Sequence, residues 1–208
     1  MWSQELPLSL LWRGESFEDP EVPEPRLNDS YVTPSWSWAS AIYPVQGSDL
    51  SPTEIIADVV NIADTPTAAD TYGQILDARL VLKGLVLNGM IRHISNSFFR
   101  KPMTQIQLLS EDGSPVPGMD YEGPTLSFGG DYRLRQGFQN SDVSTQQVLC
   151  IAIKSTISSE HSRVLDCVVL RPSTAEEGLY ERVGLVTCMD SLSESERVFR
   201  RKTEVTII

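Results

Sequence analysis

The sequence predicts an all-β fold, mainly an antiparallel barrel or sandwich, with one or two short helices. Three observations lead there. Runs of β-branched and aliphatic residues recur at short spacing along the chain. Glycine, proline, serine and acidic residues separate these runs and supply turn chemistry. Stretches with helical spacing are few. No repeat of fixed period is present, and the whole of 1–208 reads as a single β-rich domain.

The elements follow in order. "LPLSLLWR" (6–13) suits a short helix or an extended packing segment. Residues 14–33 form an acidic, proline-rich loop within the domain. Between 15 and 29, Glu15, Glu18, Asp19, Glu21, Glu24 and Asp29 face a single Arg26, the pattern of a solvated segment. "EIIADVVNIAD" (54–64) is β-branched and partly alternating, hence a strand. "LDARLVLKGLVLNGMIRHI" (76–94) is apolar on both faces. It fits one central or barrel strand, or two strands bent at Gly84 or Gly89. "MTQIQLLSEDGSPV" (103–116) reads as a hairpin arm closing on an Asp112–Gly113 turn. "QQVLCIAIKSTI" (146–157), "RVLDCVVLRP" (163–172) and "YERVGLVTCM" (180–189) are three further strands. "SLSESERVF" (191–199) carries the Ser-x-x-Glu capping pattern twice and predicts two helical turns. "KTEVTII" (202–208) is the last strand.

Bulk charge narrows the function classes. A net charge of −11 over 208 residues opposes nucleic-acid binding, which needs a basic surface, and opposes docking on anionic membranes. No apolar run is long enough to insert in a membrane, and the first residues lack the pattern of a signal peptide. Cys150, Cys167 and Cys188 are odd in number and widely spaced, as free thiols in a reducing compartment would be. The expected location is cytoplasmic.

The familiar catalytic motifs are missing: no G-x-S-x-G, no P-loop, no G-x-G-x-x-G after a strand, no H-E-x-x-H. The two histidines, His93 and His161, lie far apart and there is no C-x-x-C, so neither a metal nor a cofactor is expected. The cysteines sit within apolar strand patterns, as buried, unreactive thiols do. His93 ends a hydrophobic strand and is a candidate acid or base. In "FGGDYRLR" (128–135), alternation sends Asp131, Arg133 and Arg135 to one side and Tyr132 and Leu134 to the other. That makes either a hydrogen-bonding patch around Arg133 or a glycine-containing loop that feeds a polar edge strand.

The aromatic residues concentrate early. Trp12, Trp36, Trp38 and Tyr43 fall within the first 43 residues of the chain. In an extended "PSWSWAS" (34–40), Trp36 and Trp38 share a face, and each indole offers a large apolar surface with one N–H donor. They are core, or they line a ligand or a partner.

"LPLSLLWR", the acidic stretch and "PSWSWAS" together resemble the region that follows the defining domain of fungal heterokaryon-incompatibility (HET) proteins. "DARLVLKGLV" is similar to an A-x-L-x-L-x-G strand of that family. "CVVLRP", "YERVGLV" and "KTEVTII" resemble its later strands. The resemblance covers nearly the whole chain, and its front motif is the specific part. Met1 falls inside the family's pattern, so the implied expectation is a β-rich C-terminal part without the N-terminal HET domain. None of the family's catalytic residues maps onto this segment.

Two functions compete. The first is a β-domain that binds an apolar small molecule, extending to a cofactor-free cyclase or isomerase of the pericyclase (Diels–Alderase-like) kind in fungal secondary metabolism. Such chemistry needs a dry, shaped pocket and one polarising donor. Trp36, Trp38, Tyr43 and Tyr132 would shape the wall, and His93 or Arg133 would be the catalytic donor. The alternative is a non-enzymatic interaction or regulatory module derived from a HET protein, with a protein partner in place of the small molecule.

Overall fold

The computed structural model describes residues 2–11, 13–14, 36–37, 45–46, 54–66, 75–94, 103–109, 127–130, 145–174, 176–191, 199 and 201–208. Strand dominates them. One helix, α1 (Trp2–Ser9), precedes eleven strands: β1 (Arg13–Gly14), β2 (Val45–Gln46), β3 (Glu54–Ile55), β4 (Asp58–Pro66), β5 (Ile75–Ile94) and β6 (Met103–Leu108), then β7 (Ser127–Gly130), β8 (Thr145–Ile157), β9 (Ser162–Pro172), β10 (Leu179–Ser191) and β11 (Arg201–Ile207). The expectation of an all-β fold with few helices therefore holds. No helix among the described residues is long and apolar enough to cross a membrane.

The helix lies further toward the N-terminus than the sequence pattern suggests and is cut short from within. Pro7 removes one helical donor. The Ser9 hydroxyl donates back to the Leu6 carbonyl at 2.7 Å. The last turn tightens to three-residue bonds, Leu10 N–H to Pro7 O at 3.2 Å and Leu11 N–H to Leu8 O at 3.0 Å. This geometry presents Leu6, Leu10 and Leu11 to the core.

A closed circuit of hydrogen-bonded strands organises the rest. β5 pairs with β8, β8 with β9, β9 with β10, β10 with β11, and β11 returns to β5. Every step is antiparallel except the short β10–β11 contact, which is parallel. The barrel expectation, rather than an open sandwich, describes this closure.

β5 makes the closure possible. Its 20 residues pair with β4 over 75–83 and with β11 over 80–86, then with β8 over 86–92 and β6 over 89–94. The strand is continuous through Gly84 and Gly89. At Gly84 a methyl group would stand 3.1 Å from Cγ1 of Ile151 and 3.3 Å from the Ala152 carbonyl oxygen. Glycine there lets β8 cross close to β5.

Both faces of β8, β9 and β10 are buried. One face joins Leu80, Leu82, Ile151, Ile153, Val168, Leu170, Leu185, Val205 and Ile207 with the leucines of α1. All five strands of the circuit contribute to it. The other face joins Leu87, Val148, Cys150, Leu165, Cys167, Val169, Val183, Val186 and Cys188 with Phe199. Bulges at Ile153 and Val183, where the ladders skip a residue, bend β8 and β10 around this double core. Two hairpin turns complete it. In one, Ser159 Oγ accepts the Ser162 N–H at 3.2 Å. In the other, Gly178 adopts φ 82°, open to glycine at little cost.

Candidate functional site

The charged residues that interrupt the apolar strands meet one another across the sheet. Lys154 on β8, Asp166 on β9 and Thr187 on β10 are consecutive cross-strand neighbours. The Thr187 hydroxyl donates to Asp166 Oδ1 at 2.7 Å, and Lys154 Nζ lies 3.8 Å from Asp166 Oδ2. On the opposite face of the sheet, Arg163 donates to Asp190 Oδ2 through Nη2 at 2.7 Å and Nε at 3.2 Å. That pair is buried, with side-chain exposures of 9% and 0%. A third cluster closes the far end of the β9–β10 hairpin. Arg171 donates to Glu181 Oε2 at 2.7 and 3.1 Å, and Ser173 donates to Oε1 at 3.3 Å.

These groups can hold charge and orient hydroxyls. Their partners, however, are their cross-strand neighbours, the usual way a sheet satisfies polar side chains. Arg182 adds a guanidinium that is almost fully buried, opposite Leu170. The sequence carries a signal for several of them, charges set inside apolar runs as in "IAIKSTI" and "RVLDCVVL". Reading each strand separately hides which of them meet.

The cysteines behave as the strand patterns predict. All three are free and buried, and Sγ of Cys167 lies 4.0 Å from Sγ of Cys188. Burial pushes the Cys150 thiol well above its ordinary value, with Cys188 adding to the shift. Burial likewise raises Cys167, helped by its hydrogen bond with Cys188. A thiol held protonated in this way is a poor nucleophile. Among the described residues no three His, Cys, Asp or Glu side chains converge on a metal-binding arrangement.

Of the residues proposed for a site, Trp36 is described most fully. It is half-buried and packs against the core face that α1 covers. His93 sits near the end of β5, opposite Thr104 in the β6 register. Trp38, Tyr43, Tyr132 and Arg133 lie outside the described residues, as do most of the acidic 14–33 stretch and the 192–198 segment. Of the six, only Trp36 and His93 are among the described residues. Gly129 and Gly130 of "FGGDYRLR" belong to β7 and pair with Leu185 and Gly184.

One exposed strand edge stands out on the surface. Among the described residues five large hydrophobic side chains are exposed, and three of them fall within the short span from β3 to β4: Ile55 (38%), Val60 (49%) and Ile62 (45%). β3 pairs with β8 and β4 with β5. The opposite edge of this segment carries no strand among the described residues.

Comparison with protein-family models, with curated proteins and with solved structures gives no match.

Proposed function

We propose that this chain is a non-enzymatic protein-interaction module related to HET incompatibility proteins, working in the cytoplasm. The observation that carries the reading is how the apolar surface is distributed. A five-stranded circuit is narrower than the roughly eight strands needed to enclose a small ligand. Its common face is already filled by Leu80, Leu82, Ile151, Val168, Leu170, Val205 and Ile207, all essentially inaccessible. Three of the five large apolar side chains exposed among the described residues instead lie along the β3–β4 span, and strand edges are where proteins recognise extended segments. The "PSWSWAS" motif supports the lineage, and three buried reduced thiols suit a reducing compartment.

The second reading remains apolar small-molecule binding, with cofactor-free cyclisation or isomerisation as its chemistry. Trp36, half-exposed beside the core, is the observation in its favour. Site-specific photo-crosslinking separates the two. A benzophenone side chain is introduced singly at exposed Ile62, Ile157, Lys202 and Glu204 in cells that express the chain. A module gives a discrete protein adduct from at least one position. Absence of adducts at all four, together with a small molecule retained on the purified chain in native mass spectrometry, overturns the proposal.

A further inference from the structure

The charge of the chain is confined to one part of it. Between Glu15 and Asp77 there are twelve acidic residues and a single base, Arg26, so this part carries the entire net charge of −11. The remaining residues balance, sixteen acids against sixteen bases. The β3–β4 segment lies inside the acidic part and holds Glu54, Asp58 and Asp64 with no lysine or arginine.

Glu54 and Asp58 are exposed, and neither makes an ion pair among the described residues. The cation opposite Asp58 is drawn elsewhere. Lys83 stands opposite Asp58 in the β4–β5 register, yet its Nζ bonds Glu204 at 3.1 Å. Among the described residues the edge thus combines a backbone ladder with no strand beside it, three exposed aliphatic side chains and negative charge without an ion pair.

Those properties select the occupant. A second copy of this chain would bring acid against acid, which like-charge repulsion opposes. The ladder also skips a residue between Val59 and Asn61, leaving Val60 as a bulge, and bulges discourage indiscriminate strand pairing. Past it, Asn61 to Thr65 pair with β5 without interruption. We infer that the edge of β3–β4 that carries no strand among the described residues accepts an extended, lysine- or arginine-bearing segment of a partner protein as an added strand. Backbone hydrogen bonds supply the affinity, Val60 and Ile62 receive apolar side chains of the segment, and Glu54 and Asp58 choose its charge.

The inference rests on the interaction-module reading and specifies its partner. Its probe is a fluorescent peptide of about nine residues, the length of a long strand, alternating lysine and valine. Two controls accompany it: the same peptide with glutamate for lysine, and one with lysines retained and a central proline. Fluorescence anisotropy on the full chain should show saturable binding of the lysine peptide alone, weakening as salt rises. Asp58→Lys and Ile62→Lys, both at exposed positions, should each weaken it by about tenfold or more with unchanged thermal unfolding. Equal binding of the proline peptide would mean simple charge attraction and would overturn strand addition. So would failure of the lysine peptide to bind, or binding unaffected by either substitution. Crosslinked adducts at Lys202 or Glu204 but not at Ile62 would sink the edge while sparing the module. Absence of adducts everywhere, with a small molecule retained on the purified chain, would sink both.

Discussion

Cys150, Cys167 and Cys188 show what single residues contribute. Each lies in the double core, and burial favours the neutral thiol of Cys150 and Cys167 in the fold. In the unfolded chain the same thiols ionise near 9.0. A folded pKa raised above the unfolded one contributes stability that is complete below the unfolded pKa and is lost as pH rises above it. Urea unfolding should therefore show stability falling above pH 9, by up to about 1.4 kcal/mol per pH unit for each such thiol. Cys150→Ala should lower stability throughout and make that fall shallower. A slope unchanged by the substitution would refute the assignment. The residue scale is also where the sequence was most legible. Buried cysteines followed directly from apolar strand patterns. Trp36 did not: alternation could pair it with Trp38 but could not say what either indole touches, because that depends on where α1 returns against the sheet.

Among elements, β5 was legible in extent and illegible in role. Its two-sided apolar pattern announced a long buried strand, and the observed Ile75–Ile94 differs from the expected 76–94 by one residue. Which partners flank it is a matter of long-range register, and no local pattern encodes that. Gly84 sits at the crossing of β5 with β8. The added methyl of Gly84→Ala would meet Ile151 and the Ala152 carbonyl. Because Ile151 is wholly buried and has little room to yield, the substitution should cost about 1–3 kcal/mol. Ile151→Val in the same chain removes Cδ1 and should restore part of the loss. Thermal melts of the two single variants and the double variant measure this directly, and simple additivity would argue against the contact. The hairpin arm over 103–116 was recovered only as β6, Met103–Leu108, because its expected Asp112–Gly113 turn lies outside the described residues.

For the whole molecule, closure of the circuit couples its strands. β9 lies between β8 and β10 with both faces covered, whereas β4 is paired on one edge only among the described residues. Native-state amide exchange should place the β9 amides at the global unfolding free energy and those of β4 well below it. Deleting 201–208 opens the circuit at β11 and should lower the cooperativity of unfolding along with the midpoint. A sharp, two-state transition in the truncated chain would show that the sheet does not need closing. Fold class was legible in the sequence because periodicity and turn chemistry are local. The candidate site was much less so. The cross-strand charges and the exposed edge exist only once β3 to β11 are assembled, and the acidic composition of 15–29 indicated charge without a place for it.

The sharing of β5 has one more consequence. Its early half is measured against β4 and β11, its late half against β8 and β6, so a single strand serves as the ruler for two sets of neighbours. Adding or losing one residue near Val86 would leave one set aligned and turn every side chain of the other to the wrong face. Substitutions along this strand are open to drift; its length is not. Lineages of this fold are therefore expected to vary freely in the spans between strands while β5 keeps a constant count.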